Sequence, residues 1–525
     1  LGPLTTLLTP GRSSLSLVRS RLVFAAMGCN CIGALLTSTL LSGFLGSFFG
    51  SISNEAAANA TENATENAAA NATDSASNDG GVAEASVATT ATFSTSTMTA
   101  PPLCSVLSAD SVAEWLTVKE VTLPSALPSS GCGSFGIHIS CWHTFYAASP
   151  ETDLHAILYN DADKKAIVVL LDAQSEIVTT KEIGSEEVRG LQFDPSATHL
   201  VAFISGATNN YTTPSYFIKM RLPGLEVAWR KPISSPKVGL EKWTPDNSDS
   251  IALSHDRYVM HTAGQCQTGE WCAGHQGDIT QVLDATTGER IAGEGLDWRA
   301  SHSCKQMITY SNASDTFMMA NFGDYYPKDV VFNGFSKGRH SGAKAVFAGW
   351  GNGGGKQGGT QGNIAADPAT GGFASVWSYG VEGDDKDKLY FASIGQDVAF
   401  AQPPKKLFPN SGGSELGGAV APLGRGRWLV AYTESSSDML TDYLRIFFEE
   451  WGIPASARTE GSRLAIVDSS GTVLGEPVNV AALGAPFPVE IHHLVQRADG
   501  LGWIFMDGPG KDTVRIVQLK CQRST

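Results

Sequence analysis

The sequence predicts an all-β protein, a β-propeller of about seven four-stranded blades, and three observations carry this prediction. The 525 residues include 56 Gly but only 17% charged residues, which favours many tight turns over long solvated helices. From about residue 103 one unit recurs: a strand, a tight Asp, Asn or Gly turn, and a strongly apolar second strand. These second strands begin at steps of 58, 59, 56, 55 and 75 residues, near His199, Arg257, Thr316, Gly372, Arg427 and Gly502.

The clearest copies of the unit begin at Leu191 and Ile364 and read LQFDPSATHLVAFISG and IAADPATGGFASVWSYG. Both contain an Asp-Pro turn, which is typical of a type I turn with Pro in its second position. A four-stranded repeat of roughly 40–60 residues is typical of a propeller blade. One further blade fits before the first of these copies and gives seven, whereas six is the alternative if residues 104–171 form a cap. We expect the strand Val514–Leu519 to close the ring beside Val118–Leu123.

The longest step is explained by a short amphipathic helix predicted at residues 438–451. Its sequence, DMLTDYLRIFFEEW, repeats apolar residues at i, i+3, i+4 and i+7. Ser437 can cap its start, and Gly452 followed by Pro454 ends it. We expect the apolar face of this inserted helix to pack on the propeller or on a partner.

Residues 1–53 are predicted to form a leader for export. No charged residue occurs from Cys31 to Ile52, a length that suits a secretory signal or a short membrane span. Ser51 and Ser53 supply the small residues that a cleavage site needs. A cleaved signal peptide and a retained anchor, which would tether the chain through residues 32–50, are both open. Either interpretation predicts an extracellular or cell-surface protein that follows the secretory pathway.

Residues 54–102 are predicted to form a disordered, glycosylated linker that is rich in Ala, Asn, Ser and Thr. Large apolar side chains are almost absent, so the segment cannot bury enough surface to fold. An unmodified acidic linker is the alternative. The propeller domain then spans residues 103–525. Five N-x-S/T sequons, three in the linker and two in the propeller, are candidate glycosylation sites: Asn59, Asn63, Asn71, Asn210 and Asn312.

Cysteine usage agrees with export. Seven cysteines follow the leader, an odd number that leaves one free thiol or an intermolecular bridge. Zinc binding is disfavoured, because the sequence has no pair of CxxC motifs. The candidate disulfides are two local pairs and one pair that joins the two ends of the domain: Cys132 with Cys141, Cys266 with Cys272, and Cys104 with Cys521.

Several polar clusters lie beside predicted strands, where loops on one face of a propeller could gather them. Convergent His and carboxylate groups suit acid–base catalysis or a divalent metal such as calcium. Hydrogen bonding between blades is the competing interpretation. The candidate catalytic residues are His275, Asp278, His302, Asp324 and His492, and the candidate metal ligands are His275, His302, Asp324 and Glu490.

Three of these clusters read GHQGD, SHSCKQ and DYYP, within Gly264 to Pro327. They resemble HxGD, SHSxxQ and DxYP segments of a loose group of secreted propeller-like proteins. The resemblance weakens toward the C-terminus. It implies the propeller fold and implies no particular chemistry.

Composition narrows the function classes. The formal charge of −15 argues against nucleic-acid binding through a general basic field. The sequence therefore predicts a secreted or surface-tethered glycoprotein whose propeller binds an extracellular protein or a glycan. The alternative is an extracellular metal-assisted hydrolase or lyase with a His/Asp site at the propeller axis.

Overall fold

The computed structural model describes the greater part of the predicted propeller domain. The predicted leader (1–53), linker (54–102) and inserted helix (438–451) lie outside the described residues. Those residues are 107–128, 132–135, 138–141, 144–205, 215–233, 250–265, 276–294, 297–301, 304–322, 329–336, 344–348, 359–379, 388–435, 461–486, 494–506 and 510–520.

The described chain begins with a helix, α1 (Ala109–Trp115), and the strand β1 (Leu116–Thr122). Ser108 caps α1, because its hydroxyl oxygen accepts the backbone N–H of Ser111, whose own side chain accepts the N–H of Ser108. The helix ends at Leu116, where the backbone becomes extended. A two-stranded hairpin follows, formed by β2 (Cys132–Phe135) and β3 (His138–Cys141).

Four-stranded antiparallel sheets, the blades, come next. The strands of each blade follow one another in chain order, except that the fourth strand of blade 7 comes from the start of the domain. Blade 1 contains β4 (Thr144–Ala148), β5 (His155–Asn160), β6 (Ala166–Leu171) and β7 (Ile177–Gly184). Blade 2 contains β8 (Glu187–Phe193), β9 (His199–Ser205), β10 (Ser215–Arg221) and β11 (Glu226–Ile233). Blade 3 contains β12 (Ser250–Leu253), β13 (Arg257–Gln265), β14 (Gln276–Asp284) and β15 (Asp297–Ser301).

The remaining blades keep the same order. Blade 4 contains β16 (Cys304–Ser311), β17 (Thr316–Phe322), β18 (Asp329–Ser336) and β19 (Lys344–Ala348). Blade 5 contains β20 (Gly359–Ala366), β21 (Phe373–Tyr379), β22 (Lys388–Ile394) and β23 (Lys405–Lys406). Blade 6 contains β24 (Ser414–Gly424), β25 (Arg427–Ser435), β26 (Ser462–Asp468) and β27 (Val478–Asn479). Blade 7 contains β28 (Val495–Arg497), β29 (Gly500–Met506), β30 (Thr513–Lys520) and, as its fourth strand, β1.

The two ends of the domain meet in blade 7 and close the ring. Strand β1 pairs with β30 in antiparallel register, with Val118 opposite Val517 and Val121 opposite Val514. The closing pair predicted from the sequence is therefore confirmed. The number of blades is seven, since β4 to β7 form a complete sheet rather than a cap.

The second strand of each repeated unit begins within two residues of its predicted start. Tight turns fix these starts, as blade 2 illustrates. There the Asp194 carboxylate accepts the backbone N–H groups of Thr198 and His199, at 3.0 Å each. A short side chain that bonds to the backbone ahead of it is what the Asp-rich turns of the sequence predicted.

Burial follows the position of a strand within its blade. Every residue of β6 is buried, whereas the outer strand β7 is exposed along most of its length. Apolar layers fill the spaces between neighbouring blades, as where Phe203 and Phe217 of blade 2 join Tyr258 and Met260 of blade 3. These layers hold the blades together face to face, as expected for close-packed β-sheets.

The ring has two unlike ends. At one, the tight-turn end, the first strand of each blade turns into its second through two to six residues. At the other, the long-connection end, second strands lead to third strands and the chain passes to the next blade. The four longest segments between successive blade strands, each of fifteen residues or more, all leave from the long-connection end: 123–143, which contains the β2–β3 hairpin, 234–249, 436–461 and 480–494.

Within the described ranges, no helix is long and apolar enough to cross a membrane. The predicted span at residues 32–50 lies outside them.

Candidate functional site

Three of the predicted site residues are flanked in sequence by strand ends that lie at the long-connection end of blades 3 and 4. In blade 3 the start of β14 pairs with the end of β15, with Gly277 opposite Ser301. In blade 4 the start of β16 pairs with the end of β17, with Cys304 opposite Phe322. Both pairs therefore lie at the same end of two neighbouring blades.

His275, His302 and Asp324 lie outside the described residues, each within two positions of a residue in these pairs. Asp278 lies on β14, opposite Ala263 of β13. The strand ends next to these residues in sequence therefore lie at the same end of two neighbouring blades. That the side chains themselves converge stays a prediction.

Glu490 and His492 also lie outside the described residues. They precede β28, the first strand of blade 7, which is separated from blades 3 and 4 by two blades on either side. A site shared with the residues of blades 3 and 4 would therefore have to span the axis of the ring.

A group of buried polar side chains lies on strands β13, β14, β16 and β17 of blades 3 and 4. His261 has no exposed surface, and its Nδ1 lies 3.1 Å from the carbonyl oxygen of Met307. The Thr280 hydroxyl donates to the sulfur of Met319 at 2.8 Å. Buried polar groups at this density are costly in a sheet interior unless they are bonded. The members of this polar floor are His261, Thr280, Gln281, Gln306 and Asn321, all at most 2% exposed.

The polar floor has no recognisable signature in the sequence. Its residues are single polar positions inside otherwise apolar strands, such as Gln281 in ITQVL, and one such position resembles ordinary strand alternation. Burial on both faces of these strands shows that they are interior.

The side chains of the polar floor are hydrogen-bond donors and acceptors. In the part of the chain that the structure describes, no group of three or more His, Cys, Asp or Glu residues could hold a metal ion. The predicted catalytic and metal-binding roles of His275, Asp278, His302, Asp324, Glu490 and His492 therefore stay predictions.

Polar side chains bridge successive blades through backbone groups. Asn160 of blade 1 donates to the Glu186 carbonyl and accepts the Val188 N–H, both at 2.9 Å. Asn363 of blade 5 makes the same pair of bonds to Val420 of blade 6. Hydrogen bonding between blades, the competing interpretation of the polar residues, is thus real, although in the described part of the chain other residues carry it.

A buried ion pair stands at the long-connection end between blades 5 and 6. Lys388 Nζ lies 3.4 Å from Glu415 Oε1 and donates to the carbonyls of Ser411 and Gly413, at 2.8 Å each. Glu415 also accepts the backbone N–H of Leu389 at 2.7 Å. Burial raises the pKa of Glu415, and the nearby Lys388 charge opposes that rise. The pair satisfies its own buried groups and is structural.

One predicted disulfide and one predicted glycosylation site fall on residues that the structure describes. Cys132 and Cys141 are register partners in the β2–β3 hairpin. Directly opposed residues of antiparallel strands have Cα atoms about 4.5–5.5 Å apart, within the range that a disulfide requires. Asn312 is exposed in the turn between β16 and β17. The remaining predicted positions lie outside the described residues: Cys104, Cys266, Cys272, Cys521, Asn59, Asn63, Asn71 and Asn210.

The similarity of this chain to known proteins is limited to a distant resemblance to solved structures. No family model and no curated protein matches the chain. Solved structures that resemble it include U3-55K, with 11% identity and a TM-score of 0.41, over 75% of this chain and 100% of that one. The RRP9 WD40 repeats match with 11% identity and a TM-score of 0.42, over 75% and 99%. The Dos1 propeller matches with 7% identity and a TM-score of 0.43, over 79% and 98%.

The strand order and the ring closure define the chain as a seven-bladed β-propeller protein. This fold suggests a protein-binding module, a rigid ring that presents connecting segments from its two ends.

Proposed function

We propose that the chain is a secreted or surface-tethered glycoprotein whose propeller binds an extracellular protein at its long-connection end. The asymmetry of the ring carries the proposal. Rigid scaffolds commonly bind through long connections, because such segments can vary without disturbing the core. All four of the longest segments between successive blade strands leave from this one end.

The path of the chain into the ring supports this orientation. Helix α1 leads into β1, which begins at Leu116, the register partner of Leu519 near the end of β30. Third strands end at the tight-turn end, so the N-terminal chain reaches the ring there. A tether through residues 32–50 would leave the long-connection end on the opposite side of the ring, free to meet a partner.

The first test measures binding of the full chain, secreted from eukaryotic cells and fluorescently labelled, to the surface of intact cells. Saturable binding that trypsin treatment of the cells removes is the expected result. Binding that glycosidase treatment removes and trypsin spares would replace the protein partner with a glycan. An unglycosylated product that is retained in the cytosol would contradict the proposed location.

The enzyme alternative rests on His275, His302 and Asp324, which are close in sequence to the strands that carry the polar floor. It is tested by the metal content of the purified full chain, measured by mass spectrometry beside a His275→Ala/His302→Ala variant. Stoichiometric metal that the variant loses would favour a metal-assisted hydrolase or lyase. Equal, sub-stoichiometric metal in both would leave the binding module as the better account.

A further inference from the structure

The interface between blades 7 and 1, here called the seam, joins the C-terminal strands to the first complete blade. Val514 and Ile516 of β30 share one apolar cluster with Tyr146, Ile157 and Val169 of blade 1. Because the seam joins parts of the chain more than 340 residues apart in sequence, its stability decides whether the ring stays closed.

A chain of hydrogen bonds crosses the tight-turn half of the seam. Arg497 Nη1 of β28 donates to the Tyr146 hydroxyl of β4 at 2.6 Å. That hydroxyl lies 3.2 Å from Nδ1 of His155, the first residue of β5. His155 Nε2 lies 2.6 Å from the carbonyl oxygen of Asp172. The side chains of Arg497, Tyr146 and His155 are all buried.

The partners fix the position of every proton in this chain. A carbonyl oxygen only accepts, so His155 Nε2 must carry its proton and donate to Asp172. Neutral His155 then has an accepting Nδ1, and the Tyr146 hydroxyl donates to it. The Tyr146 oxygen is left to accept from Arg497. All three contacts are satisfied only while His155 is neutral.

The other charged groups near His155, Asp172 and Asp499, offset an added proton only in part, because they raise the pKa of His155 by less than burial and Arg497 lower it. Asp499 accepts from Arg497 Nε at 3.3 Å and lies 3.7 Å from Lys520 Nζ. The Asp172 carboxylate accepts the backbone N–H groups of Gln174 and Glu176 in its own turn. The Arg497 cation, which reaches the His155 imidazole through Tyr146, lowers the pKa of His155 more than the charge of either carboxylate raises it.

We propose that the His155–Tyr146–Arg497 chain is a proton-sensitive latch that holds blades 7 and 1 together at neutral pH and loosens the seam in acid. A proton on Nδ1 would turn that atom into a donor. The Tyr146 hydroxyl proton would then lose its acceptor inside the seam, and a second cation would lie close to Arg497. Loosening the seam admits water to these groups and relieves both costs.

The direction of the pH dependence follows from the charge state of His155. Burial, and then the Arg497 charge, lower the pKa of His155 to about 4. An exposed His has a pKa of about 6.5. The latch therefore contributes its full stability above about pH 6.5 and loses it as the pH falls toward 4. Between pH 7.5 and pH 5 the equilibrium constant for opening should rise about thirtyfold.

The test is hydrogen exchange of the full chain at pH 7.5 and pH 5, read as protection factors so that the intrinsic pH dependence cancels. Protection in β4, β28 and β29 should fall about thirtyfold at pH 5, while β21 and β22 of blade 5 should change much less. In His155→Gln, which has an amide in place of the imidazole and does not titrate, the change at the seam should shrink below threefold.

His199→Gln is the matched control, since His199 is the first residue of the second strand of blade 2, as His155 is in blade 1. It should keep the thirtyfold change at the seam. A thirtyfold change that survives in His155→Gln, or an equal change in all blades, would overturn the proposal.

If His155→Gln does not fold, the protonation state of His155 can be measured in the unaltered chain. Nitrogen-15 NMR of the His side chains should show His155 neutral, with the proton on Nε2, down to about pH 5. Titration of His155 near pH 6.5, or a proton on Nδ1 at neutral pH, would refute the latch.

Discussion

Replacing Asn363 with Ala tests whether polar bridges hold neighbouring blades together. Asn363 is 3% exposed, and it donates to the Val420 carbonyl at 3.0 Å while accepting the Val420 N–H. Asn363→Ala would leave both backbone groups of Val420 buried without these partners. Each orphaned group costs about 1–3 kcal/mol, so the loss of stability should be about 2–6 kcal/mol.

The assay is denaturant unfolding of the purified chain, combined with hydrogen exchange at the Val420 amide. Asn410→Ala is the control, because Asn410 is exposed on the connection before blade 6, and it should change stability by less than about 0.5 kcal/mol. The reasoning fails if Asn363→Ala also unfolds within about 0.5 kcal/mol of the unaltered protein with Val420 still protected.

Three further predictions concern the ring. Gly362→Ala should destabilise by about 1–3 kcal/mol, since its Cβ would lie 2.6 Å from the Gly418 carbonyl oxygen, whereas Gly412→Ala meets no atom within 4 Å and should be neutral in thermal unfolding. Lys388→Met should cost about 3–5 kcal/mol in denaturant unfolding at pH 8. It should cost less in acid, because burial raises the pKa of Glu415 and protonation removes the unpaired charge; an equal cost at both would contradict the buried pair. Residues 123–525, which lack β1, should lose the cooperative melting transition that residues 107–525 keep.

The repeat was readable from the sequence because its physical cause is local. An Asp or Gly turn followed by a largely apolar strand recurs in six blades, and each such strand begins within two residues of its predicted start. The same period appears in the contacts between blades. Gln192 bonds to Ile251, Ser250 to Ile308 and Asn363 to Val420, over separations of 59, 58 and 57 residues. The hydrogen bonds between neighbouring blades therefore join residues that are about one repeat apart in sequence.

Other elements are too short for their sequences to predict them. The outer strands Lys405–Lys406 and Val478–Asn479 have two residues each, and no periodicity can appear over two residues. Helix α1 has seven residues and buries only Val112, so its cap is its main signature. The polar floor and the His155 latch depend on which strands become neighbours in space, and a single strand's sequence does not contain that information.

The most direct test adds a glycan at one end of the ring and removes a sequon at the other end. Asp163→Asn with Lys165→Thr creates a sequon in the exposed turn between β5 and β6, at the long-connection end. Asn312→Gln removes the exposed sequon at the tight-turn end. The account predicts that the added glycan lowers saturable cell-surface binding at least tenfold while Asn312→Gln leaves it unchanged. Undiminished binding with the added glycan in place would contradict the long-connection end as the binding surface.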